Sequence, residues 1–131
     1  MKKGGVLNRE LSTLIACMGH TDMITVCDSG LPIPTSVERI DLAVSPGIPS
    51  FLDVLQAIAV ELKVEEIIFA EELQQHSQSL MKSVQDLFPN SSVKTIPHEN
   101  FKKMSKESKA IVRSGETTPY ANVILVSGVI F

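Results

Sequence analysis

Apolar residues along this chain alternate between two periods. Leu11, Leu14, Ile15 and Met18 fall at i, i+3, i+4 and i+7, the spacing of one face of an amphipathic helix. Asn8 stands where a side-chain oxygen caps such a helix, and Gly19 where one stops. Residues 23–27 are a short apolar, β-branched run and predict a buried strand. Leu31-Pro32-Ile33-Pro34 reads as extended loop, because prolines and the residues before them are kept out of helix. A second strand is expected over residues 40–44, stopped by Ser45-Pro46-Gly47.

Ser50 then looks like an N-cap, with Asp53 three residues on in the manner of a capping box. Phe51, Leu55, Ile58 and Leu62 make one face of the helix it opens. Strands are expected at residues 66–70, 93–96 and 123–126. Leu80, Met81, Val84, Leu87 and Phe88 predict a helix ended by Pro89, and residues 100–109 a further one. No repeat, low-complexity tract or linker interrupts the pattern. Residues 1–131 therefore read as a single α/β domain, a mostly parallel central sheet with helices on both faces.

In such sheets ligands bind outside the carboxyl ends of the strands. Asp28, Ser45-Pro46-Gly47, Glu71-Glu72 and Pro97-His98 each follow an expected strand and share a rim if the strands are parallel. His20 does not fit that rule. It precedes its strand and so lies at the opposite end from Asp28; if the two cooperate, another geometry such as a neighbouring subunit must join them.

Composition narrows the function classes. A net charge of −3 removes the electrostatic case for nucleic acid or an anionic membrane as partner. Hydrophobic residues make up 44% of the 131 positions and aromatics only 5%, so exposed aliphatic surface and a homo-oligomer are expected. Lys2-Lys3 resembles the start of a signal peptide, but Gly4-Gly5 and Asn8-Arg9-Glu10 interrupt it. The apolar runs are too short to span a bilayer. Cys17 and Cys27 read as reduced core residues of a cytoplasmic protein.

Candidate chemistry concentrates in Gly19-His20-Thr21-Asp22. Imidazole is the side chain best suited to exchange protons near neutral pH. His20 fits either a general acid–base or a cation closing a helix C-terminus. Asp22 fits either a carboxylate fixing the imidazole or a turn cap. Asp28-Ser29-Gly30 is a carboxylate able to take two hydroxyls, or an ordinary turn. Tyr120 and Asn122 point to one side if the strand pleat starts there, placing a phenol beside an amide. His98 stands at a strand end, and His76 at the opening of a helix. The three histidines match no metal-ligand spacing, so no metal is expected. No G-x-G-x-x-G, Walker loop or G-x-S-x-G elbow is present.

Taken together, the run from Met1 to Asn8, Ile15-Ala16, Gly19-His20-Thr21-Asp22, Asp28-Ser29-Gly30-Leu31-Pro32-Ile33-Pro34, Arg113-Ser114-Gly115-Glu116 and Pro119-Tyr120-Ala121-Asn122 resemble the ribose pyranase and L-fucose mutarotase family over nearly the whole chain. The Leu-Pro-Ile-Pro loop is more similar to the pyranase branch. The resemblance implies a cytoplasmic, cofactor-independent isomerase of ribose catabolism that interconverts β-pyranose and β-furanose D-ribose. It puts the catalytic histidine at His20 and substrate-binding positions at Asp28, His98, Tyr120, Ala121 and Asn122. It also implies a homodecamer of two stacked pentameric rings, with sites at subunit boundaries. A non-catalytic sugar-binding module tied to ribose uptake or phosphorylation is the alternative. An aldose isomerase is less compatible, because no paired-carboxylate or metal set is apparent.

Overall fold

Five of the six strands run one way and the last runs against them. The computed structural model describes all 131 residues. Its strands are β1 (Met23–Cys27), β2 (Glu38–Asp41), β3 (Val64–Ala70), β4 (Ser92–Ile96), β5 (Ala110–Arg113) and β6 (Val123–Ser127), in the spatial order β2-β5-β1-β6-β3-β4. The pairs β1/β5, β2/β5 and β3/β4 are parallel. β6 sits between β1 and β3 and is antiparallel to both. The sheet is thus mixed but mostly parallel, as expected.

Strand alternation splits the core into two layers. Ile24, Val26, Ile67, Phe69, Ala110, Val112, Val123 and Leu125 face one side, and join the apolar residues of α1 (Arg9–Cys17), α2 (Phe51–Ala59), α3 (Glu71–His76) and α4 (Gln78–Leu87). Cys27, Ile68, Ala70, Ile111 and Ile124 face the other, where Phe101 of α5 (His98–Ser105) and Leu31 and Val37 of the proline loop cover them. Strands apolar on both faces are what a sandwiched, mainly parallel sheet requires. The helix starts behave as the caps suggest: Asn8 accepts from Leu11 N–H at 2.8 Å, and Ser50 and Asp53 form a reciprocal capping box. No helix is long and apolar enough to cross a membrane.

Several elements differ from expectation. β2 covers Glu38–Asp41 rather than residues 40–44, because after a last bond from Leu42 N–H to Arg113 O at 2.9 Å the chain leaves the sheet and Val44 pairs instead with Ile48 across a tight turn. β5 was not expected at all: it starts directly after the stretch read as a helix over residues 100–109. α5 stops at Ser105, the chain turns through Lys106–Lys109, and four buried or half-buried residues then enter the sheet. α3 is a further unexpected helix, so His76 closes one helix rather than opening the next; Ser77, at φ −151° and ψ 81°, breaks the two apart. Leu62 is buried but lies past the end of α2. Cys27 is buried as expected, whereas Cys17 is exposed, on the outer side of α1.

The turn after β2 is locked against the segment after β5 by Gly115. Gly47 N–H donates to Gly115 O at 2.6 Å, and Gly115 N–H donates to Pro49 O at 2.8 Å. A Cβ on Gly115 would lie 2.6 Å from both Ile48 N and Ser45 O, all backbone that has no rotamer by which to yield. Gly115→Ala is therefore expected to destabilise the fold by about 1–3 kcal/mol through overpacking, read as a lower urea midpoint; an unchanged midpoint would contradict this packing.

Candidate active site

β6 begins where β1 ends, because the two are antiparallel neighbours. Asp28 and Asn122 consequently lie abreast at the carboxyl rim of the sheet. Asn122, 1% exposed, accepts from Asp28 N–H at 2.9 Å and donates its amide to Asp28 Oδ2 at 3.1 Å. Asp28 Oδ1 accepts from Gly30 N–H at 2.9 Å, so the turn reading of Asp28-Ser29-Gly30 holds alongside any functional one. Each carboxylate oxygen keeps a lone pair for a further donor. These residues open onto a depression of about 360 Å³ that His98, Glu116, Thr118 and Tyr120 also line.

Tyr120 reaches this rim by an unusual backbone route. It does not sit in the pleat, since β6 starts only at Val123, and its φ of 64° is left-handed. Such a conformation is uncommon outside glycine and concentrates at functional sites. The ring meets His98 edge-on at 5.2 Å between centroids and His76 at 6.1 Å. His98 in turn stacks on buried Phe101 at 6.3 Å, and its backbone N–H donates to Glu72 Oε2 at 2.9 Å at the start of α5. His98 Nδ1 is buried without a hydrogen-bond partner. Ala121 is fully buried in the larger core layer and contributes no side chain to the depression.

Glu116 organises the rest of the rim. Its Oε2 accepts from Phe51 N–H at 3.1 Å. Its Oε1 accepts from the N–H groups of Thr117 and Thr118 at 3.1 Å and from the Thr118 hydroxyl at 2.9 Å. Its carbonyl accepts from Ser29 N–H at 2.9 Å. One residue thus ties α2, the loop before β6 and the Asp28 turn together. Arg113 assists from β5, bonding Ser29 O at 3.0 Å and both oxygens of Asp41 at 3.1 and 3.2 Å. Beneath the turn, burial and then the Asp28 charge push the Cys27 thiol up to about 12, which leaves it a neutral packing group. None of Glu116, Glu72 and His76 was read as a site residue, because the contacts that bring them here are non-local: Glu116 with Phe51, Glu72 with the His98 N–H and His76 with the Tyr120 ring.

His20 lies at the other rim. About 3.3 Å per strand residue separates the Met23 end of β1 from Asp28 by roughly 16 Å, so within one copy His20 does not reach the depression. Its side chain is half exposed, and its Nε2 is 3.0 Å from Glu65 Oε2. Asp22 does not hold the imidazole. It accepts from Gly19 N–H at 2.9 Å and pairs with Lys109 at 3.6 Å, which is the turn-capping role. Thr21, between them, is the other non-glycine residue in left-handed backbone, at φ 68°. No group of three or more His, Cys, Asp or Glu side chains is arranged to hold a metal ion.

Burial raises the Glu116 carboxyl, but the donors from Phe51, Thr118 and Thr117 outweigh it and hold the group below its ordinary 4.5. A folded-state value below the unfolded one contributes stability above pH 4.5 that is lost as pH falls through the folded value. The urea midpoint of Glu116→Gln is accordingly expected to fall short of wild type near neutral pH, with the gap closing on acidification. A gap constant with pH would contradict that assignment.

Comparison with known proteins identifies the family. Residues 1–130 match the model of the RbsD / FucU transport protein family. The chain is 50% identical to the D-ribose pyranase of Geobacillus kaustophilus, covering 100% of this chain and 96% of the relative. It is 48% identical to the D-ribose pyranase of Laribacter hongkongensis, covering 100% of both. The structure of Bacillus subtilis RbsD complexed with D-ribose superposes with a TM-score of 0.95 at 44% identity, over 100% of each chain. A Streptococcus pneumoniae fucose mutarotase in complex with L-fucose, at 23% identity and 95% coverage of each chain, shares the fold with a TM-score of 0.79. With a family match across all but one residue and full-length relatives near half identity, this chain belongs to the RbsD / FucU family.

Proposed function

We propose that this protein is a D-ribose pyranase, an isomerase that interconverts the β-pyranose and β-furanose forms of D-ribose and so serves ribose catabolism. The observation that carries the reading is the polar depression at the carboxyl rim, where Asp28, His98, Tyr120 and Asn122 converge, in a chain about half identical over its length to D-ribose pyranases. Its volume of about 360 Å³ lies near the small end of ligand pockets, which run from about 300 to 1,000 Å³. A carboxylate with free lone pairs, a phenol, an amide and an imidazole suit the closely spaced hydroxyls of a pentose.

The chemistry asks little. The anomeric hydroxyl gives up its proton, the C1–O5 bond breaks as C1=O1 forms, and O5 takes a proton. Rotation in the open aldehyde presents O4, and the same steps run backwards to close the furanose. No C–H bond is ionised, so the reaction needs proton transfer and orientation rather than a cofactor. His20 is the catalyst in this reading, taking and returning the proton at O1 or O5. Asp28, His98, Tyr120 and Asn122 orient the hydroxyls, the Ala121 backbone completes the binding strand entry, and Tyr120 is the second proton carrier.

Because His20 and Asp28 lie on opposite rims, the working site is composite: the depression of one copy meets the His20 rim of a neighbour. A decamer of two stacked pentameric rings provides that meeting. Exposed apolar side chains such as Val44, Ile48, Ile130 and Phe131 leave surface for such contacts. The two unpaired cysteines suit a cytoplasmic location. The same separation favours a second reading, a sugar-binding module, for a copy that stays alone.

His20→Ala decides between them. With pyranose–furanose exchange of D-ribose followed by NMR, the variant is expected to bind ribose and assemble normally while exchange drops to the uncatalysed rate. Undiminished exchange in a folded variant would remove His20 from the mechanism. Ribose binding by the wild type without acceleration would establish the binding module instead.

A further inference from the structure

We propose that Glu65 is a positioning residue for His20, holding the imidazole with Nε2–H turned to the carboxylate and Nδ1 presented as the nitrogen that exchanges a proton with the sugar. The proposal rests on the reading of His20 as catalyst. Three observations support it. Nε2 of His20 lies 3.0 Å from Glu65 Oε2, and a carboxylate accepts but does not donate, so the shared proton belongs to the ring nitrogen. Glu65 is the irregular residue of the sheet: the β3/β6 register shifts between Val64 and Glu66, leaving Glu65 out of the pairing. Such a bulge re-aims the extra side chain, and bulges recur beside active sites. Opposite it stands Gly128, whose absent Cβ would lie 3.0 Å from Glu65 Cβ and 3.4 Å from Oε2. Strand bulge, glycine and histidine thus build one carboxylate–imidazole pair.

Stability is not its purpose, since both side chains are 40% or more exposed and such pairs contribute little to folding. The pair sets instead which ring nitrogen of a half-exposed imidazole faces outward. A neutral ring donates from one nitrogen and accepts at the other, so fixing Nε2 as donor leaves Nδ1 as the base.

The test uses the full-length wild type, Glu65→Ala, Glu65→Gln and His20→Ala. Nitrogen-15 chemical shifts of His20 report the tautomer, and NMR exchange of D-ribose reports turnover. Wild type is expected to show the Nε2–H form. Glu65→Ala is expected to lose that preference and slow catalysed exchange roughly 10- to 100-fold, as loss of an orienting partner does. Glu65→Gln, whose amide oxygen still accepts from Nε2–H, is expected to restore most of both. An Nδ1–H ring in the wild type overturns the proposal. So does unchanged exchange in Glu65→Ala while His20→Ala is inactive, which leaves His20 as catalyst. Full exchange in His20→Ala overturns both this assignment and the catalytic reading beneath it.

Discussion

β6 runs against its two neighbours, and both halves of the candidate site hang on that reversal. At its start it brings Asn122 level with the end of β1, where the reciprocal bonds to Asp28 form. At its end it anchors the His20 turn: Thr21 N–H donates to Ser127 O at 2.9 Å, and Ser127 N–H donates to Asp22 O at 2.8 Å. A parallel strand in that place would have carried neither contact. The central strand therefore fixes the Asp28–Asn122 pair at one end of the sheet and the His20 turn at the other.

Each rim also holds one of the two non-glycine residues in left-handed backbone, Thr21 beside His20 and Tyr120 beside Asn122. A β-branched residue there is a real outlier, and such conformations persist only where surrounding bonds over-determine them. Here they do. Thr21 is held by Ser127, and Tyr120 by the bond from Asn122 N–H to its own carbonyl at 2.7 Å. Backbone strain thus sits at both rims of the candidate site.

Much of this could be read along the chain, because periodicity and caps are local. The helix capped by Asn8, the capping box at Ser50, the buried strand Met23–Cys27 and the α/β class followed from spacing alone. So did the opposition of His20 and Asp28, which needs only the direction of one strand. What escaped was short or non-local. β5 has four residues and follows a polar turn, so no period could develop. The approach of His76 to Tyr120, the bond from Phe51 N–H to Glu116 and the pairing of Glu65 with His20 all join segments distant in sequence. The family resemblance supplied roles for individual residues that spacing left open, and Asp22 shows the limit of spacing: it caps the turn rather than holding the imidazole beside it.

The composite site is the central claim, and subunit mixing tests it most directly. Asp28→Asn and His20→Ala each damage one rim. Unfolded together in equal amounts and reassembled, they should regenerate about a quarter of the sites, the share random mixing gives when two copies of a symmetric assembly build each one. Ribose exchange recovering to that level, from two preparations inactive alone, is the predicted result. No recovery in a mixed assembly of normal size would mean that each copy carries its whole site, and would contradict the account.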